Sequence, residues 1–134
     1  MKETILEEYF EKKVSAEALN QDVTGSQIKT GFDTSSLDVE VIQSDEEFEI
    51  TSKHLCQLVD ATISNKISTK NLATIAFALE GSDYFYWDNE TIDGEKVARV
   101  LFEWDNKEIN FPITQQNLKL WKSYLQTGEH NLNR

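Results

Sequence analysis

Residues 81–113 read GSDYFYWDNETIDGEKVARVLFEWDNKEINFPI, and the folding of this stretch decides the architecture of the chain. Two runs, Asp83 to Asp88 and Val97 to Trp104, flank Asp93-Gly94, a dipeptide that tolerates the positive φ angles of a type I′ turn. With that pair at the turn centre, Trp87 faces Val100 and Phe85 faces Phe102, and Trp104 completes an apolar face. The other face pairs Asp88 with Arg99, Tyr86 with Leu101 and Tyr84 with Glu103. Alternation and turn chemistry agree on one register, so the stretch predicts a central β-hairpin, with a longer loop around Glu90 to Lys96 as the alternative connection.

Helical signals lie on both sides of it. Thr51 or Ser52 caps a stripe of Leu55, Leu58, Val59, Thr62 and Ile63; Ser68 caps a second, Leu72, Ile75, Ala76 and Leu79, that stops at Gly81. Thr114 caps a third, with Leu118, Trp121, Tyr124 and Leu125 inward and Gly128 at its end. These give helices over about 53–64, 69–80 and 115–127. As a DNA-reading helix-turn-helix the first two fail, because the second offers only Lys70 and Asn71 near its start and no basic face.

Ile5, Leu6, Tyr9, Phe10 and Val14 make an amphipathic helix over residues 1–14, either packed on its own domain or donated to a partner. Residues 20–36, rich in Gly, Ser, Thr and Asp with Val23, Ile28 and Phe32 as their notable apolar residues, read as loop with room for one short edge strand. Leu37, Val39 and Val41 alternate with Asp38 and Glu40, and Phe48 to Ile50 follows the acidic knot Asp45, Glu46, Glu47, which fits two strands joined by a charged turn. Ile109, Phe111 and Ile113 make an edge piece limited by Pro112, and the tail 129–134 is expected to fray. The expected fold is therefore α+β: one domain over 1–134, an antiparallel sheet with a central hairpin, and helices packed on one face.

Charge narrows the partners. Of the 13 basic and 24 acidic residues, 4 and 13 fall in residues 1–50, so that part of the chain carries most of the net −11. Such a balance repels phosphate, which argues against nucleic acid and anionic membranes and favours a basic protein partner. The opening residues are acidic and amphipathic, and no run is long and apolar enough to span a bilayer, which makes the cytoplasm the expected location.

Catalytic and metal motifs are sparse. One cysteine, Cys56, and two histidines, His54 and His130, make no zinc set, and residues two apart on a helix point in different directions, so His54 and Cys56 form no local dyad. A calcium-loop alignment with Gly94 at its sixth place puts Asn89, Thr91 and Asp93 at the first three ligand positions but Val100 where the bidentate Glu belongs. No phosphate cradle or nucleophile elbow occurs. The residues thus point to no enzyme, no catalytic residue, no metal and no cofactor.

The runs ISTKNLATIAFALEGSDYFYW (67–87), VARVLFEWDNKEINFPIT (97–114) and YLQTG (124–128), with Ser82-Asp83, Trp104 and Asn110, resemble small acidic bacterial immunity proteins of polymorphic or contact-delivered toxin systems, over about residues 50–128. The resemblance implies a protein that binds and neutralises a basic toxin. Such families share no common site residues, so it assigns no role to a named position. The hairpin register supplies the expected partner surface: Tyr84, Tyr86 and Leu101 beside Asp88 and Glu103, with Asp45, Glu46, Glu47 and Glu49 as the second candidate. A structural or regulatory adaptor, and an enzyme of unknown class, are the alternative functions.

Overall fold

The computed structural model describes residues 1–29 and 35–132; the part of the expected 20–36 loop that contains Phe32, and the last two residues of the tail, lie outside them. In chain order the elements are α1 Glu3–Phe10, α2 Ala16–Val23, β1 Gln27–Lys29, β2 Ser35–Leu37, β3 Phe48–Glu49, α3 Ser52–Ile63, α4 Thr69–Glu80, β4 Phe85–Tyr86, α5 Ile92–Asp105 and α6 Gln115–Thr127.

The central hairpin is absent, and the expected α+β class with its antiparallel sheet is corrected to a mainly helical fold. Residues 92–105, expected to form the turn and second strand, are α5. The same sequence carries a second period: Val97, Val100, Leu101 and Trp104 recur at helical spacing and are all fully buried, while Phe102, assigned to the apolar strand face, is 49 % exposed. Local chemistry agrees with the helix. The Thr91 hydroxyl accepts the Gly94 N–H at 2.9 Å, and Asp93 and Glu95 place negative charge in the first turn, where the helix dipole favours it. Gly94 is needed for close approach: a Cβ there would lie 1.7 Å from the Asp88 carbonyl oxygen.

The short strands form two separate pairs. β1 and β2 are antiparallel with Gln27 opposite Leu37, whereas β3 and β4 are parallel, with Phe48 opposite Phe85 and Glu49 opposite Tyr86. Of the alternating 37–41 segment, only Leu37 lies in a strand, and Glu40 makes an isolated parallel bridge to Lys2. The 109–113 segment is not a strand.

α3, α4 and α6 form where the sequence predicts them. Ser68 and Thr114 accept the N–H groups of Asn71 and Asn117 at 3.1 Å each, and Gly128 closes α6 at φ 86°, a left-handed conformation that costs a glycine little. α3 packs mainly on α6, and α4 on α5. The core holds Leu6, Leu19, Leu55, Leu58, Leu72, Ile75, Leu79 and Leu118, each worth roughly 2 kcal/mol on full burial. Trp104 meets Trp121 edge to face at 6.0 Å.

α1 belongs to this core through Leu6, Tyr9 and Phe10. The Phe10 ring sits 5.1 Å from His54 and 6.1 Å from both Phe48 and Phe85, which ties the first helix to α3 and to the β3–β4 pair. No described helix is long and apolar enough to cross a membrane.

Candidate functional site

Parallel pairing of β3 with β4 gathers residues far apart in sequence. It sets Tyr86, 40 % exposed, beside the exposed Glu49, so one residue from each of the two expected surfaces meets on one ladder. Asp45, Glu46 and Glu47 precede β3 and are exposed.

Next to this ladder runs a groove of about 540 Å³ walled by Val41, Ser44, Asp45, Asp83 and Tyr84, with Glu3 at its base. Glu3 is buried because both its oxygens have partners: Oε1 accepts the Ile42 N–H at 2.9 Å and Oε2 the Ser82 hydroxyl at 2.7 Å. Ser82 Oγ in turn accepts the Tyr84 and Phe85 N–H groups at 3.0 Å each. One carboxylate thus joins α1, the 38–44 segment and the turn into β4. The backbone adds Glu3 N–H to Glu40 O at 2.9 Å and Glu40 N–H to Met1 O at 2.8 Å.

Tyr84 is buried as a ring and donates its hydroxyl to Glu7 Oε1 at 2.7 Å. That bond first, then burial, then the charges of Glu7, Glu46 and Glu11 push the hydroxyl up to about 12. Acids from α1 and from the segment before β3 therefore act on one point, and the face is strongly negative.

The other expected surface residues lie elsewhere. Leu101 is fully buried in α5, and Glu103, 4 % exposed, faces α6 and the C-terminal segment. Its Oε1 accepts the Trp121 indole N–H at 3.0 Å, and its Oε2 lies 2.9 Å from His130 Nε2 and 3.6 Å from Arg99 Nε. His130 is held between the rings of Phe111 and Tyr124 at 5.5 and 5.3 Å. Asp88 is exposed in the turn before α5, where Oδ1 accepts the Glu90 N–H at 2.9 Å. The hairpin register that grouped Tyr84, Tyr86, Leu101, Asp88 and Glu103 on one face does not exist; of that group Tyr84 and Tyr86 stay together, joined by Glu46 and Glu49.

A second concavity, about 750 Å³, lies where α3 and α5 begin and α6 ends. Asp93 crosses from α5 to the start of α3: Oδ2 accepts the Ser52 N–H at 3.0 Å and Oδ1 the Ser52 hydroxyl at 2.5 Å. His54 Nδ1 accepts the Thr51 N–H at 3.0 Å. Burial lowers the pKa of this imidazole, with the Asp93 charge pulling less strongly the other way. Burial first, then Asp60, raises the Cys56 thiol. Ser52, His54 and Asp93 meet here in an order unlike an activated nucleophile, since the hydroxyl bonds the carboxylate directly and the imidazole serves the backbone.

Sequence reasoning missed Glu3, Ser82 and the role of Asp93. The Asp93-Gly94 signal was present, but its carboxylate meets a backbone N–H 41 residues away, which no local pattern encodes. Among the described residues no group of three or more His, Cys, Asp or Glu is arranged to hold a metal ion. Compared with models of protein families, with curated proteins and with solved structures, the chain matches none of them.

Proposed function

We propose that this chain is a protein-binding, neutralising module whose acidic face engages a basic partner, in the manner of an immunity protein that covers the active site of a basic toxin. The observation that carries the reading is the set of exposed carboxylates Asp45, Glu46, Glu47 and Glu49 beside the exposed Tyr86 on the β3–β4 ladder, with Glu7 bonded to Tyr84 at 2.7 Å alongside. Converging like charges raise the local potential and speed encounter with a cation-rich surface. Tyr86 supplies a large ring that loses little rotamer entropy on binding, a usual anchor for recognition.

The test starts from a basic protein that copurifies with the chain or is encoded beside it. Its association rate should fall by about tenfold or more as salt rises from low to physiological strength. Tyr86→Ala should weaken the complex by more than ~1 kcal/mol with the fold intact, and Glu46→Lys should slow association. A rate indifferent to salt removes electrostatic steering, and full affinity in both variants removes this face as the site. A neighbouring gene for a secreted toxin supports the reading, whereas an operon of metabolic genes opposes it.

A further inference from the structure

The groove at the starts of α3 and α5 shares no lining residue with the acidic groove, and a count of its donors and acceptors gives it a different character. Its acceptors are partly engaged. Both oxygens of Asp93 receive Ser52, one oxygen of Asp60 receives the Lys122 ammonium at 2.7 Å, and the Leu125 carbonyl receives Lys96 at 3.4 Å.

Its donors are in surplus. Lys12 and Lys53 make no ion pair or side-chain hydrogen bond with any described residue, and Lys96 keeps N–H groups beyond the one aimed at Leu125. His54 adds a fourth. Because Nδ1 accepts the Thr51 N–H, a neutral ring carries its proton on Nε2, and no described residue accepts it. Three lysines and a histidine thus line one concavity, against the two carboxylates of Asp60 and Asp93, in a chain whose net charge is −11, with Phe10 and Leu125 on its wall.

We propose that this groove binds a small organic oxyanion, a carboxylate or a phosphate on an apolar body, held by Lys12, Lys53, Lys96 and His54 Nε2–H. Acceptors are what the free donors lack, and with Asp60 and Asp93 set against three lysines one positive charge is left for an anion to offset. The apolar body lies against Phe10 and Leu125. The volume suits a ligand of small-molecule size.

The intact chain is titrated with benzoate, phenyl phosphate and benzylamine while the His54 imidazole and the Lys12 and Lys53 side chains are followed by NMR. Benzoate and phenyl phosphate should give saturable shifts at all three residues, with dissociation constants on the order of 1 mM or tighter. The tighter of the two identifies the head group, and benzylamine should shift none of them. The double variant Lys12→Gln/Lys53→Gln, both residues being exposed, should keep the remaining spectrum and lose about tenfold or more in affinity. Failure of both anions to saturate His54 at roughly 10 mM, equal binding of benzylamine, or unchanged affinity in the double variant overturns the proposal.

Discussion

The indole N–H of Trp121 donates to Glu103 Oε1 at 3.0 Å, fastening α6 to α5 through a carboxylate that is almost wholly buried. His130 closes the same carboxylate from the C-terminal side, and Arg99 approaches it one helical turn earlier while lying 5.6 Å over the Tyr124 ring. Glu103→Ala leaves a buried indole donor and an imidazole without their acceptor, so it should cost about 2–4 kcal/mol. Glu103→Gln keeps an acceptor and should cost clearly less. Chemical denaturation of the two variants checks the order, and equal losses would show that the carboxylate charge, rather than the indole bond, holds the junction.

Gly94 lies where α5 starts against the Asp88 carbonyl. The contact is with backbone, which cannot swing aside as a flexible side chain would, so Gly94→Ala should destabilise by about 3 kcal/mol or more. Gly81 is a control, because a Cβ there meets its nearest atom at an ordinary 3.6 Å. Gly81→Ala should change stability far less in the same measurement.

Glu80 and Asp105 end α4 and α5, neither of which has a basic residue in its last turn. Burial, then the hydrogen bond to Asp105, then its charge push Glu80 from an ordinary 4.5 up to about 7. The folded state therefore binds this proton more tightly than the unfolded chain does. Its stabilising contribution is complete below the unfolded value and disappears as pH rises through about 7. Comparing denaturation midpoints at about pH 5 and about pH 8, the wild type should lose more stability than Glu80→Gln, which has no proton to release. Equal pH dependence of the two proteins would exclude this linkage.

Tyr9 and Gln57 exchange bonds between α1 and α3: the phenol donates to the Gln57 carbonyl at 2.9 Å, and the Gln57 amide donates to the Tyr9 carbonyl at 2.7 Å. Tyr9→Phe should cost about 1–2 kcal/mol and raise amide exchange in α1 more than in α5. Uniform exchange changes would mean that α1 opens only with the whole domain.

Helix ends were legible because capping is local chemistry. Ser68 and Thr114 bond N–H groups three residues on, and Gly128 adopts its left-handed turn at the end of its own helix, so each signal lies within the stretch it terminates. Residues 92–105 were not decided in this way. Val100, Phe102 and Trp104 fit a strand, while Val97, Val100, Leu101 and Trp104 fit a helix, and the choice fell to the pattern that buries four side chains against α4 and α6.

The site divides along the same line. Sequence alone established the strongly acidic residues 1–50, their acidic run at Asp45 to Glu47, and aromatic residues at 84–86, because charge and composition do not depend on the fold. Only the tertiary structure set Glu49 beside Tyr86, drew Leu101 and Glu103 inward, and brought Lys12, Lys53 and Lys96 around one groove. Two-residue strands carry no readable period, and ladder bonds between segments 37 residues apart form when the surrounding helices have brought those segments together.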